Sequence, residues 1–396
     1  MIEIRASERE RLGMPPARFL RQHWQKKPLL IRGAFADLRA PLTPDDLAGL
    51  SCEPSALSRL VVHDAKRDRW TLRTGPFDSA DFAKMPRRDW TLLVQDVDKW
   101  DADVAALLAH FSFLPRWRID DVMVSYAVDG GSVGAHVDNY DVFLLQGLGQ
   151  RRWQISTDPR APKETRSDAD IKLLRAFQPT HEWVLDPGDM LYLPPGVPHH
   201  GVAVGECLTF SVGMRAPSRA ELLVDFAETF AAEWPEELRL GDGDLAPASG
   251  DGEIDDAAFA RARAAMPWLR VGSEAIDEAA FRTWFASFVT RYRSALSAMP
   301  RARKITDPEM ARAVASDADV VRNPWSRTAW IRSGRDARLF VAGSELASSV
   351  AFARRIGAGA AFPVADVATA RDRDALRRLV DLGHVSLAKA ARRRRR

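Results

Sequence analysis

Two stretches decide the fold: GGSVGAHVDNYDVFLLQ at residues 130–146 and DPGDMLYLPPGVPHHGVAV at residues 186–204. In both, short apolar runs are broken by glycine and proline at turn positions, the rhythm of strands joined by tight connections. Working outward, runs of the same kind occur at Val122–Ala127, Val142–Gln146, Arg152–Ile155, Met190–Leu193 and Leu208–Val212. Turns are expected at Gly130-Gly131, Gly147-Leu148-Gly149 and Pro187-Gly188-Asp189. The pattern predicts a double-sheet β fold, barrel or sandwich, over about residues 119–216.

Chemistry enters through side chains that the strand period puts on one face. His136 and Asp138 are separated by one residue, so on a strand both project the same way, close enough to share an ion. The second stretch delivers His199 after a tight Pro-Gly turn. Two imidazoles and one carboxylate on one side of a metal leave three positions open, the facial triad of non-haem iron(II) oxygenases. A closed four-ligand zinc site has no such room, so iron is the expected metal. His200 competes with His199 as third ligand, and because adjacent strand residues face opposite ways only one of them can join the site.

Arg151 begins the strand after Gly149 and offers a planar cation suited to the distal carboxylate of a 2-oxo diacid, with Arg152 on the other face. Ser125 and Ser211 are candidate hydroxyl donors to the same cosubstrate. Tyr140 and Asp141 follow the first ligands closely and are candidates to line the substrate entrance.

With 396 residues the chain exceeds what one core serves, so two or three domains are expected. An apolar share of 46% beside 28% charged residues excludes a disordered or fibrous chain. No apolar run approaches the roughly 20 residues of a membrane span, and the first residues lack the apolar segment of a secretion signal, so a cytoplasmic location is expected. Cys52 and Cys207 are too few for a disulfide framework and lack the close spacing of a thiolate zinc site. The net charge of +3 includes five arginines at 392–396, without which the chain carries −2. Such a tail fits either nucleic-acid contact or a solvated terminus.

After Pro217 the period turns helical. Ser218 and Glu221 have capping-box spacing, and Leu222, Leu223, Phe226 and Phe230 share a face. A glycine-rich polar stretch at 241–252 reads as a loop. A helix from Asp277 to Met299 carries the aromatic stripe Phe281, Trp284, Phe285, Phe288 and Tyr292, which suits helix packing or a two-fold homodimer interface. From about residue 301, a helix opened by Asp307-Pro308, strands near 329–331 and 337–341, a helix around 367–379 and a strand at 385–387 form an α+β unit of winged-helix type. It has no clear basic recognition helix.

Four blocks carry a family resemblance: HWQKKPLLIRG (23–33), WRIDDVMVSYAVDGGSVGAHVDNYDVFLLQGLGQRRW (117–153), PGDMLYLPPGVPHHG (187–201) and TFSVGMRAPSRAELL (209–223). In these the chain resembles the JmjC-type ribosomal oxygenases, within the cupin-like 2-oxoglutarate enzymes. The resemblance implies a mostly β, double-stranded β-helix (jelly-roll) catalytic domain over 1–216 with its core at about 95–216. A helical dimerisation region at 217–300, a winged-helix domain at 301–391 and a basic tail at 392–396 complete the implied order.

The resemblance further implies His136, Asp138 and His199 as Fe(II) ligands, which decides against His200, and Arg151 as partner of the 2-oxoglutarate carboxylate, with Ser125 near it. The implied reaction consumes dioxygen and 2-oxoglutarate, releases succinate and carbon dioxide, and hydroxylates an arginine of a large-subunit ribosomal protein. The family's acidic residue after the third ligand is His200 here, a candidate contact for the substrate guanidinium. Two alternatives stand beside this reading: a histidyl or small-molecule hydroxylase of the same fold, and a metal-binding cupin sensor without oxygenase activity. Arg151 separates the last from the others, since only a 2-oxo diacid user needs it.

Overall fold

The computed structural model describes residues 2–7, 9–232, 277–291 and 296–389, with positions 235, 260 and 262. The expected loop at 241–252, Tyr292 and the arginines at 392–396 lie outside the described residues. The chain divides into two compact units, Met1–Ala216 and Pro217–Arg396.

The first unit is built on β1 (Glu3–Arg5), β2 (Leu29–Arg32), β3 (Ser58–Asp64), β4 (Arg69–Thr74), β5 (Trp90–Val94), β6 (Val122–Ala127), β7 (His136–Val137), β8 (Asp141–Ile155), β9 (His181–Leu185), β10 (Met190–Leu193) and β11 (Pro198–Met214). They run in the order β1-β2-β10-β8-β11-β6-β5-β3-β4, with β7 beside β11 and β9 beside β8. Only β1 and β2 pair in parallel among these. The spine is the antiparallel pair β8 and β11, each serving two sets of neighbours along its length. Residues 142–145 of β8 pair with β10 and residues 151–155 with β9, while β11 pairs with β7 at one end and β6 at the other.

The first half of β8 is apolar on both faces because both are covered. Phe143 and Leu145 enter a core with Phe19, Phe111, Tyr192 and Phe210, whereas Val142 and Leu144 face the interior with Trp153, Ile155 and Leu191. Farther along, strict alternation returns: Arg151, Trp153 and Ile155 are buried and Arg152 is exposed.

One sequence expectation fails here. Gly147-Leu148-Gly149 is not a turn, because β8 runs through it unbroken. The register between β8 and β11 slips between Val204 and Leu208 and again before Thr209, so the pair bulges and bends instead of ending. Gly149 holds φ 59°, and a Cβ there would lie 1.9 Å from the Glu206 carbonyl oxygen. Glycine serves a bulge here, which the sequence presents in the same letters as a turn.

The second unit opens with the helix Arg219–Ala231, capped by Ser218 and Glu221 in the expected capping box. The helix Glu278–Arg291 buries Trp284, Phe288 and Val289, and the Trp284 indole donates to Asp225 Oδ1 at 2.9 Å. Beyond it, β12 (Ala318–Arg322), β13 (Thr328–Ser333), β14 (Asp336–Val341), β15 (Ser344–Ser349), β16 (Phe362–Pro363) and β17 (Val385–Lys389) form two three-stranded sheets, β16-β12-β17 and β13-β14-β15. Helices Asp307–Ala315, Val350–Ala358 and Ala370–Asp381 pack against them around a core that includes Leu339, Phe352 and Leu376. No helix among the described residues is long and apolar enough to cross a membrane.

Candidate metal centre

His136 and His199 are direct cross-strand partners on β7 and β11, with ring centroids 4.2 Å apart. Asp138 follows β7 by one residue, and its Oδ2 lies 3.9 Å from His136 Nε2 and 3.7 Å from His199 Nε2. One ligand atom from each of the three falls within 4.8 Å of the others. The remaining ring nitrogens are committed: His136 Nδ1–H donates to the Gly134 carbonyl and His199 Nδ1–H to the Val197 carbonyl, both at 2.9 Å. A carbonyl only accepts, so each Nδ1 carries the proton and each Nε2 presents its lone pair to the shared space. Asp138 is held by its backbone, whose carbonyl accepts from Gly196 N at 2.8 Å. Two neutral imidazoles and a carboxylate on one side form the donor set of a divalent ion such as iron(II), with room opposite.

The triad shares its cavity with Arg151, Ser125, Ser211 and Tyr140. Arg151 is only 4% exposed, its Nη1 donating to Ser125 Oγ at 3.0 Å and Thr209 Oγ1 at 3.3 Å. Its Nε has no hydrogen-bond partner, and no carboxylate pairs with it among the described residues. Burial works against its charge, yet a guanidinium does not give up its proton near neutrality. A buried cation of this kind is costly unless an anion joins it, which is the fit expected for the far carboxylate of a 2-oxo diacid.

The inner wall is a grid fixed by strand register. Ser125, Thr209 and Gln146 lie side by side on β6, β11 and β8, followed by Met123, Ser211 and Leu144. Asp121 stands beyond them next to Gly213, where a Cβ would approach its Oδ1 to 3.2 Å. Four residues along a strand separate Asp121 from Ser125, about 13 Å. Asp121 is pushed up to about 7 by burial and then by Asp120. Thr209, Gln146 and Asp121 escaped the sequence reading, although stepping by two from Ser125 and by two from Ser211 reaches Asp121 and Thr209.

Two predicted residues lie elsewhere. Asp141 is fully buried on the far face of β8, where its carboxylate accepts from Tyr192 Oη at 2.6 Å, Gln25 Nε2 at 3.0 Å and Arg118 Nη2 at 3.4 Å. Tyr140 and Val142 take the cavity face, so alternation excludes Asp141 from the entrance and turns it toward Gln25, Arg118 and Tyr192 instead. His200 likewise faces away from His199 and packs edge-on against Phe177 at 6.2 Å. Neither third ligand nor wall, it is not placed to meet a guanidinium in this cavity.

A family model described as a JmjC domain matches residues 106–222, and one described as a ROXA-like winged helix matches residues 273–389. The ribosomal protein uL16 3-hydroxylase of Escherichia coli is 37% identical over 282 residues, covering 71% of this chain and 73% of that protein. The chain belongs to the JmjC-domain ribosomal oxygenases. A probable ribosomal oxygenase of Haemophilus influenzae is 40% identical over 234 residues, 58% of this chain and 56% of that protein. The solved structure of the Escherichia coli ribosomal oxygenase YcfD with cobalt and 2-oxoglutarate superposes with a TM-score of 0.75 at 31% identity, over 95% of this chain and 99% of that one. The fold expected of a ribosomal oxygenase, a cupin-like β core followed by helices and a winged helix, is the fold observed.

Both histidines of β11 titrate low. His199 is pushed down to about 4 by burial and then by His136, and His200 to about 4 by burial and then by His136. Unfolded imidazoles take up protons near 6.5, so between about pH 6.5 and 4 the unfolded state binds more protons. Stability is therefore full above that window and falls as the pH drops through it. Urea unfolding of the metal-free protein at about pH 7 and about pH 4.5 checks this. His200→Gln should reduce the acid loss by on the order of 1–3 kcal/mol, and an equal loss in variant and wild type would contradict it.

Proposed function

We propose that this ribosomal oxygenase is an Fe(II)- and 2-oxoglutarate-dependent hydroxylase acting on an arginine side chain of a large-subunit ribosomal protein. Buried Arg151, paired with no carboxylate among the described residues and in one cavity with His136, Asp138 and His199, carries the proposal. Iron(II) bound by those three residues, with 2-oxoglutarate and dioxygen, would supply the oxidising power that turns the cosubstrate into succinate and carbon dioxide and hydroxylates an unactivated carbon.

The chain's own part is placement. Arg151 anchors the far carboxylate while Ser125 and Thr209 hold the guanidinium in line. Ser125 accepts from Arg151, which leaves its own O–H to donate into the cavity, and Ser211 one row away is placed to do the same. At the other end Asp121, kept protonated in part by burial, gains a full charge when a guanidinium docks beside it. Tyr140, held against the Arg215 guanidinium at 5.2 Å, narrows the approach. A wall with a guanidinium at one end and a carboxylate at the other suits a diacid cosubstrate and a cationic side chain end to end. It favours arginine over a neutral histidine target.

What supports a homodimer is the apolar surface on the helices at 219–231 and 278–291, where Leu223, Val224 and Phe281 are 67%, 55% and 40% exposed. Light scattering should give twice the chain mass for the wild type and the chain mass for Leu223→Asp; a wild-type monomer would rule the dimer out.

Incubation with Fe(II), 2-oxoglutarate and a uL16 fragment should add one oxygen to an arginine with one succinate formed per event. Arg151→Ala should raise KM for 2-oxoglutarate by about 100-fold or more, the effect of stranding a buried charge. Asp121→Asn should instead cut kcat/KM for the peptide about tenfold or more. Oxygen found on histidine, or succinate release indifferent to the peptide, would overturn the arginine assignment.

A further inference from the structure

The connection between β8 and β9, residues 156–180, is 25 residues without helix or strand, long for a compact domain. It is nonetheless pinned. Arg166 N donates to the Leu173 carbonyl at 2.8 Å, folding the connection into a narrow loop, and Leu173 and Leu174 are buried. Leu174 N then donates to the Ala135 carbonyl at 2.8 Å, on the residue just before His136.

The contact on the other side of that loop comes from β4. Gly134 has φ 78°, and a Cβ there would meet Leu173 Cδ2 at 2.2 Å and Trp70 Cη2 at 3.2 Å. Trp70 is itself stacked on His63 at 3.9 Å. Gly134 thus sits between the long connection and the β3–β4 hairpin, and its carbonyl is the acceptor that orients His136 Nδ1.

What joins the two flanks is one guanidinium. Arg166 Nη1 donates to Asp68 Oδ2 at 2.6 Å and Nη2 to the Asp68 carbonyl at 3.3 Å, both in the β3–β4 turn. The same group donates from Nε and Nη2 to Asp168 within its own loop, at 3.0 and 2.8 Å. Asp68 also lies 3.3 Å from His63 Nε2. A planar fork engaged by two carboxylates has a geometry that a lysine does not reproduce, and a network of this kind holds better than an isolated surface pair.

We propose that Arg166 is a positioning residue for the metal site: bonded to Asp68 across the loop that carries His136, it closes Leu173 and Trp70 on Gly134 and so fixes the direction of His136 Nε2. The clamp lies outside the metal triad and the Arg151 anchor and acts through the backbone of Gly134 and Ala135, whose carbonyls meet His136 Nδ1 and Leu174 N. It rests on His136 being a ligand, which the test checks separately.

Co(II) alone is the probe, titrated into the full chain and followed by its visible absorption. His136→Ala should abolish the facial-site spectrum, whereas retention of it would refute the ligand reading itself. Arg166→Ala and Asp68→Asn should each weaken Co(II) binding about tenfold, as loss of an orienting partner does, with the double variant no worse than either. Arg166→Lys should recover little, and Asp168→Asn should change affinity less than Asp68→Asn. In the Co(II) protein, the hyperfine-shifted Nδ1–H resonance of His136 should move in Arg166→Ala while that of His199 stays. If Arg166→Ala does not fold, Asp68→Asn, a change of one atom, carries the test. Co(II) affinity within twofold of wild type in the folded variants, additive effects, or equal movement of both resonances would overturn the proposal.

Discussion

A guanidinium enclosed among strands, with hydroxyls around it and no carboxylate on it among the described residues, is the feature on which the rest of the first unit turns. Arg151 cannot discharge itself, and taking its charge out of water costs several kcal/mol unless something anionic meets it. The surrounding strands keep that demand open instead of meeting it from within. Ser125 and Thr209 brace the group, and Gln146 secures Thr209 by accepting from its hydroxyl at 3.0 Å. All three are on neighbouring strands in one register row, so the brace is a property of pairing as much as of residue choice.

The same pairing sets the metal side. His199 faces His136 across β7 and β11, and each ring is turned by a carbonyl two residues earlier in its own chain segment. Both long strands must therefore pass from the packed core to the site without a break. The bulge near Gly149 and Gly205 allows that passage, bending the pair where two rigid strands would splay. Residues outside the two long strands contribute as well: Gln25 and Arg118 meet Asp141, and Phe19 lies edge-on to Tyr192 at 4.9 Å, which stiffens the start of β8.

What the sequence made legible was what depends on period and residue type. His136 with Asp138, Arg151 with its opposite neighbour Arg152, and the strands at 122–127 and 190–193 follow from a two-residue repeat. Proximity in sequence misled at Asp141 and at His200, offered as a substrate contact although alternation had set it opposite His199: each stands beside a site residue and for that reason faces away from it. Asp121 and Thr209 were missed because the two-residue repeat was not carried on from Ser125 and Ser211, and Gln146 because its place comes from register with Thr209 on β11, which no local pattern carries. The glycines at 147 and 149 were misread because a bulge and a turn ask for the same residue. In the second unit the helix at 350–358 and strands β12 and β15 went unread, since tertiary packing and not period sets their partners: the helix lies against β13 and β14, β15 beside β14, and β12 between β16 and β17.

His136, Asp138, His199 and Arg151 line one cavity, which would join a three-residue metal site to a carboxylate anchor. Crystals grown with Co(II) and 2-oxoglutarate, measured at the cobalt absorption edge, address it directly. One strong anomalous peak should lie among His136 Nε2, His199 Nε2 and the Asp138 carboxylate, with the diacid running from that ion to Arg151 and its far carboxylate within hydrogen-bond distance of the guanidinium. An ion bound elsewhere, or a diacid that leaves Arg151 without an anionic partner, would contradict it.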